Sequence, residues 1–434
     1  MKAEVLTIGD ELLRGEIVDS NKAFLSDRLL SLDVETHYNA SVRDVPADMI
    51  DAFRRAAERS DVVLVSGGLG PTRDDLTAEV LAQAFGLGMR LDDAALAQIR
   101  AFFASVGREM TENNASQARF PDGAEVLVNP IGTAPGFLLD VEGTLFFCLP
   151  GVPREMIRML DEQVLPRLAT RLADSGRGVV RARLLRTFGI GESTLDAELA
   201  DVARADDVSL GFRTSFPDNY LRAVARAASA ADADARLDEV CATIRERLGP
   251  LVYAEGDATL EQVVGRLLGE RGLRVAVAES CTGGLVASRL TDVPGASAWF
   301  LGGVVAYSNA SKQALLGVPE ALLEKHGAVS EPVARAMAEG VRARFGADIG
   351  VATTGISGPD GGSAEKPVGL VHLALADAAG SHTDHFVFPL DRLRHRQLST
   401  LVALDWIRRR LLGVELEGPT LMRRRGGATT GART

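Results

Sequence analysis

The chain of 434 residues reads as an α/β protein with a three-layer α/β/α N-terminal domain, a small α+β middle domain and a C-terminal α/β domain. Three observations predict this. Short apolar runs alternate with helical stretches from residue 3 to about 167 and again from 256 to about 414, the pattern of largely parallel sheets covered by helices. Between those halves strands and helices are segregated instead, as in α+β folds. Glycine-rich turns follow several of the apolar runs, where open α/β sheets place their ligands.

In the first domain, 1–169, apolar runs at 5–8, 62–65, 125–128 and 145–149 are read as strands, and 21–32 and 46–59 as helices. Two loops carry chemistry. Asp10 and Glu11 follow the first strand directly, and SGGLGPTRDDLT, 66–77, follows another and opens a helix. Ser66, Gly67, Gly68, Gly70 and Thr72 are candidate phosphate-binding residues, because glycines let backbone N–H groups approach an anion and a helix N-terminus favours negative charge. Asp74 and Asp75 are candidate ligands for Mg²⁺ or another hard divalent ion. The plain alternative for Asp74 and Asp75 is a first-turn helix charge. NPIGTAPGF, 129–137, and LPGVPREM, 149–156, add two more loops, with Glu155 a possible further carboxylate.

The middle region, 170–255, reads as a strand at 181–188, a helix from Ser193, strands near 208–212 and 220–225 and a helix over 232–248. Its GIGES turn at Gly189 lacks the GXXG clamp of RNA-binding KH domains, so it reads as a spacer or dimerisation element.

The C-terminal domain, 256–414, holds the sharpest signal. The run 273–278 reads as a buried strand and 282–290 as a helix, which sets Ser280 at a strand's carboxyl end. A second run, 299–307, precedes YSNASK, where Ser308 fits an N-cap and Lys312 falls on the helix's opening turn. Ser280 and Lys312 can therefore meet. A serine hydroxyl becomes a nucleophile when a base takes its proton, and a lysine does so only where burial or a nearby cation lowers its pKa from about 10.4. The dyad thus requires a buried Lys312; otherwise Ser280 is a helix cap and Lys312 a solvated surface charge. Cys281 is a competing nucleophile, since a helix N-terminus can lower a thiol pKa. TGISGPDGG, 354–362, follows the strand 349–353 as a second anion cradle, and a last helix from about 391 opens DRLRHRQ, with Arg392 and Arg396 on one face and Arg394 turned away. From 415 the Gly-, Thr- and Arg-rich chain, with Arg423 to Arg425, is expected to be a disordered tail.

Composition sets limits. Hydrophobic residues at 46% and charged residues at 25% fit a soluble globular protein, and no apolar run approaches the roughly 20 residues of a membrane span. The start, MKAEVLTIGDELLRG, enters a strand and an acidic turn without the features of a secretory signal, so a cytoplasmic protein is expected. A net charge of −11 argues against a nucleic-acid surface. Cys148, Cys241 and Cys281 form no CxxC pair, and a buried thiol is the expected state of the first two. His382 and His385, three apart in a strand, point to opposite faces and are not expected to share a metal.

SGGLGPTRDDLT, with GDELLRG and PGVPREM around it, resembles the molybdopterin-binding fold of MoaB-like proteins, in the version that forms the N-terminal half of CinA proteins. AESCTGG, YSNASK, TGISGPDGG and KPVG are similar to the CinA C-terminal domain, the nicotinamide mononucleotide deamidase family. The resemblance implies a KH-like middle domain, a homodimer, and an amidohydrolase that converts nicotinamide mononucleotide to nicotinate mononucleotide and ammonia without a cofactor. Position by position it implies Ser280 as nucleophile, Lys312 as its partner, and Thr354 as a further active-site residue. Tyr307 and Asn309 match the stretch before the lysine, although a tyrosine packed in the core is the alternative for Tyr307. Gly283 and Gly284 are expected to stabilise the oxyanion, and Gly355, Gly358 and Arg392 or Arg396 to hold the substrate. Ser357 is a departure, since alanine is common there in TGIAGP.

For the N-terminal domain the resemblance implies either a pterin-like ligand pocket or a metal-dependent pyrophosphatase acting on ADP-ribose; the second adds Asp10 or Glu11 to Asp74 and Asp75 as metal ligands, and Co²⁺ to Mg²⁺ as a candidate ion. A binding or scaffold protein, and an amidase for another small amide, remain open as other classes.

Overall fold

The computed structural model describes residues 1–174, 178–202 and 208–419. By contacts the chain divides into two compact units, Met1–Ala182 with Val224–Arg236, and Arg183–Ala223 with Leu237–Thr434.

The first unit is built on a six-stranded sheet from β1 (Ala3–Ile8), β2 (Thr36–Val42), β3 (Val62–Ser66), β6 (Glu125–Leu127), β7 (Gly136–Val141) and β8 (Thr144–Leu149), in the order β2-β1-β3-β8-β7-β6; β4 (Met89–Leu91) and β5 (Arg119–Pro121) pair separately. The first four strands of the order run parallel, and β7 is antiparallel to both neighbours. Alternation along β1 explains the layers. Leu6 and Ile8 pack with Met49 and Phe53 on one face, and Ala3 and Val5 with Leu25 and Leu29 on the other. Two strands of this sheet were not foreseen, nor was the separate pair β4 and β5: β2, THYNASV, is too polar to read as a run because it lies at the sheet edge, and β7 begins inside the expected loop 129–137. The helix after the glycine loop starts only at Thr77, so Asp74 and Asp75 lie ahead of it rather than in its first turn.

The middle sheet joins β9 (Val179–Thr187), β10 (Val208–Ser215), β11 (Asp218–Ala227) and β12 (Val252–Glu255) in the order β10-β11-β9-β12.

The C-terminal sheet has β13 (Val275–Glu279), β14 (Phe300–Val305), β15 (Ile349–Gly355), β16 (Leu370–Asp377) and β17 (Gly380–Val387), ordered β14-β13-β15-β16-β17. The pairings β14-β13 and β13-β15 are parallel; β16 and β17 complete the sheet antiparallel. Its two faces differ in chemistry. Val275, Val277, Val351, Leu373 and Leu375 pack against the helices Leu260–Arg271 and Arg392–Leu412, whereas the opposite face is Ala276, Ala278, Ala352, Ala374 and Ala376. Those alanines let the helix Glu331–Phe345 lie close: a Cβ at Gly350 would come within 2.2 Å of the Ala338 carbonyl.

Part of the segment expected to be disordered from 415 is held in place. Leu416 is buried and the Trp406 indole N–H donates to the Glu417 carbonyl at 3.0 Å, so an apolar contact and a hydrogen bond hold that segment; the rest of the expected tail, with Arg423 to Arg425, lies outside the described residues. Among the described residues no helix is long and apolar enough to cross a membrane.

Candidate functional site

The alanine face of the C-terminal sheet ends in a serine. Because strand side chains alternate, Ala276, Ala278 and then Ser280 point one way, while Val277, Glu279 and Cys281 point the other. The same rule puts Thr354 on the serine's side, two positions beyond Ala352 in the neighbouring strand. Cys281 is thereby turned into the valine-lined core. It is 5% exposed, and burial pushes its thiol up to about 12, opposite to what a nucleophile requires.

Lys312 arrives from the helix Asn309–Leu316, which Ser308 caps by accepting from the Ser311 N–H at 3.1 Å, as the sequence suggested. The lysine is 1% exposed and its Nζ lies 3.1 Å from Ser280 Oγ, 2.7 Å from the Ala306 carbonyl and 3.3 Å from the Tyr307 carbonyl. All three partners are uncharged. Burial therefore lowers the Lys312 pKa. Carbonyls only accept, so Lys312 Nζ donates to Ala306 and Tyr307, and in its charged form also to Ser280 Oγ; once it gives up a proton, its lone pair can face the Ser280 hydroxyl. That geometry would suit a general base beside a nucleophile.

The other expected residues divide. Tyr307 is 62% exposed, so it is no core residue; its phenol accepts from Arg392 at 3.2 Å. Arg392 also donates to the Gly358 carbonyl at 2.8 Å, and Arg396 to the Thr282 carbonyl at 2.9 Å, so both arginines reach the loops beside Ser280. Asn309 is exposed at the start of its helix. Gly355 closes β15, where a Cβ would meet the Leu370 carbonyl at 2.6 Å, and Gly358 sits at φ +73°. Two expectations need correction. The Gly283 N–H donates to the Ser280 carbonyl and the Gly284 N–H to the buried Glu279 carboxylate, so neither is free for an oxyanion. Thr354 donates its hydroxyl to the Ala328 carbonyl at 2.9 Å and does not bond Lys312.

The N-terminal cleft, about 390 Å³, opens among Gly9, Gly67, Gly68, Gly70 and Gly151, with Glu11, Asp44, Asp74, Asp75 and Glu155 among its walls and no lysine or arginine. Ser66 and Thr72 do not line it. The Ser66 hydroxyl donates to the Pro150 carbonyl at 3.2 Å, and both the N–H and the hydroxyl of Thr72 donate to Asp75. Gly67 and Gly68 are at φ +113° and +66°, and a Cβ on either would strike the Ile8 carbonyl or Thr77 Oγ1. Asp10 is also outside the cleft walls: Arg43 beside it, the stronger influence, and Arg14 hold its carboxyl below the usual carboxylate range. Asp44 was not foreseen, because RDVP before a helix reads as an ordinary lead-in. Burial first, then the charges of Glu11, Asp10 and Asp74, raise its pKa. Among the described residues no three His, Cys, Asp or Glu side chains gather as a metal-binding group, so Asp74, Asp75, Asp10 and Glu11 do not form the ligand set expected of them.

Three family models match successive parts of the chain: "Probable molybdopterin binding domain" over residues 4–170, "Damage-inducible protein CinA KH domain" over 182–254 and "CinA C-terminal domain" over 257–411. A CinA-like protein of Geotalea uraniireducens is 43% identical over 95% of this chain and 98% of its own, and one of Geobacter sulfurreducens 45% identical over 95% and 100%. The chain belongs to the CinA family. A solved CinA structure from Thermoplasma acidophilum, described as of unknown function, is 37% identical over 38% of this chain and 96% of its own, with a TM-score of 0.36. The CinA domain order thus assigns the acid-lined cleft to a molybdopterin-binding-type domain and the serine and lysine to the CinA C-terminal domain.

Proposed function

We propose that the C-terminal domain is an amidohydrolase acting on nicotinamide mononucleotide. The observation that carries this is the 1% exposed lysine 3.1 Å from the serine hydroxyl, with no opposite charge to keep it protonated. Lys312 takes the Ser280 proton and Ser280 Oγ bonds to the carboxamide carbon; the ammonium formed on Lys312 then balances the oxyanion's charge and returns its proton to the leaving ammonia. Water resolves the resulting acyl ester, with Lys312 again taking a proton, and yields nicotinate mononucleotide. Arg392 and Arg396, with the glycine loop from Gly355 to Gly358, are the groups suited to the 5′-phosphate, so that binding remote from the amide orients it.

A second activity, hydrolysis of a pyrophosphate such as ADP-ribose, is supported by the N-terminal cleft. Its walls carry several carboxylates and no cationic side chain, so a pyrophosphate can enter only with a cation. Mg²⁺ is commonly held by one or two carboxylates with substrate phosphates and water completing its shell, which suits acids that form no ligand cage of their own. One or two of the carboxylates that line the cleft, Glu11, Asp44, Asp74 or Asp75, would hold it, and the ion would neutralise the pyrophosphate.

The deciding measurement is ammonia release from nicotinamide mononucleotide by the full chain and by Ser280→Ala. Release that is lost in the variant supports the amidohydrolase. No release from the wild type sinks it, and a ligand-binding or scaffold role takes its place.

A further inference from the structure

Besides its two arginines, the helix Arg392–Leu412 brings a histidine to this pocket. His395 is 0% exposed, and its ring joins the two ends of the loop between β15 and β16: Nδ1 is 2.9 Å from Ser357 Oγ and Nε2 3.0 Å from the Gly369 carbonyl. A carbonyl only accepts, so Nε2 carries the ring proton, and Nδ1 accepts from the Ser357 hydroxyl. The chain of bonds is directional, and both ring nitrogens are satisfied. Burial lowers the His395 pKa, which keeps the ring neutral.

The backbone also closes the loop's neck: the Gly369 N–H donates to the Ile356 carbonyl at 2.7 Å and the Ile356 N–H to the Leu370 carbonyl at 2.8 Å. Gly369 sits at φ +94°, where a Cβ would come within 2.3 Å of the Phe388 carbonyl, and the Phe388 ring lies 6.1 Å from the imidazole. Arg392 holds the Gly358 carbonyl beside the histidine's contact, and Arg396 the Thr282 carbonyl, so one helical turn fastens the glycine loop and the serine loop together. Ser357 is the donor that the buried imidazole depends on. An alanine there would leave Nδ1 of a fully buried imidazole without a donor, so the serine and the histidine belong together.

We propose that Ser357 and His395 are positioning residues: by pinning the neck of the loop 355–369 they set its distance from Ser280, and so govern binding of the substrate's phosphorylated end without taking part in acyl transfer. This rests on the amidohydrolase reading. Ser357→Ala strands Nδ1, whereas the double variant Ser357→Ala/His395→Leu removes both polar partners. With each, KM and kcat are measured for ammonia release from nicotinamide mononucleotide and from its phosphate-free riboside, together with Tm and hydrogen exchange of the amides in 356–369.

Loss of one such bond corresponds to a KM for the mononucleotide about five- to tenfold higher in both variants, with kcat within about twofold. KM for the riboside stays near the wild-type value, the loop amides exchange faster, and Tm falls in the single variant but recovers in the double. An unchanged KM with unchanged exchange in Ser357→Ala, or a KM that recovers together with Tm in the double variant, overturns the proposal. Should the wild type release no ammonia, the amidohydrolase reading is what fails. Loop exchange then decides alone: faster exchange in Ser357→Ala upholds the pin, and unchanged exchange removes it.

Discussion

The serine and lysine pocket and the N-terminal cleft sit at the same kind of place, the carboxyl ends of parallel strands, yet they handle charge in opposite ways. Beside Ser280 a lysine is buried among neutral oxygens, and burial lowers its pKa. In the cleft several carboxylates face one space, and burial first, then the charges of its neighbours, raise Asp44. The first arrangement is complete as it stands; the second calls for a cation.

The comparison breaks most sharply at Lys312. Lys312→Met keeps the side chain's length and removes its base, so kcat for ammonia release falls by about a hundred- to ten-thousandfold. In the wild type the rate rises with pH as the amine loses its proton, along a limb lying below the ordinary lysine range. Stability carries the same signature. Folded Lys312 releases its proton earlier than the unfolded lysine, whose pKa is about 10.4, so between those two points the unfolded state binds more protons and stability rises with pH. The methionine variant lacks that rise. Urea denaturation at several pH values measures it, and an equal rise in both proteins would show that Lys312 is not a buried base.

For the cleft, chelation of divalent ions abolishes ADP-ribose hydrolysis and leaves ammonia release unchanged. Asp44→Asn lowers the first activity roughly tenfold or more, as neutralising a group around a metal generally does. The same change removes one of the repelling charges, so metal-free Tm rises above neutral pH, where Asp44 is ionised despite its raised pKa. Activity and stability then move oppositely. If both fall, Asp44 is a structural hydrogen-bond acceptor for the Asp10 N–H, 2.8 Å away, and not a cation site.

How much of this was readable follows from the distance along the chain over which each feature is fixed. Ser280 and Lys312 were legible because an apolar run, a strand end and a cap are local patterns, and alternation then decides the face. The oxyanion expectation failed because the carboxylate that takes the Gly284 N–H belongs to Glu279, the last residue of a strand otherwise made of valine and alanine, and no local rule says that it folds back under the turn. Ser66 and Thr72 failed in the same way: a glycine loop announces free N–H groups, but Pro150 and Asp75 had already claimed these two residues. Asp44 and His395 were missed altogether. Their partners lie on other strands and helices, and only the folded chain brings them together.

The smallest expected effect concerns Cys281, next to the nucleophile in sequence and on the far side of the strand in space. Burial pushes its thiol up to about 12, so the thiolate is scarce at pH 8, and the thiol is shielded from reagents. Iodoacetamide applied to the native protein should leave ammonia release intact and Cys281 unlabelled by mass spectrometry, whereas the urea-unfolded chain is labelled. Cys281→Ala should retain most of the wild-type kcat, with a modest loss of stability of about 1 kcal/mol from the vacated volume. The two experiments together test the alternation that turns position 280 toward Lys312 and position 281 away. Inactivation that tracks labelling of Cys281 in the folded protein, with Ser280→Ala still active, would mean that the strand presents its other face to the substrate, and the neutral lysine would then be base to a thiol.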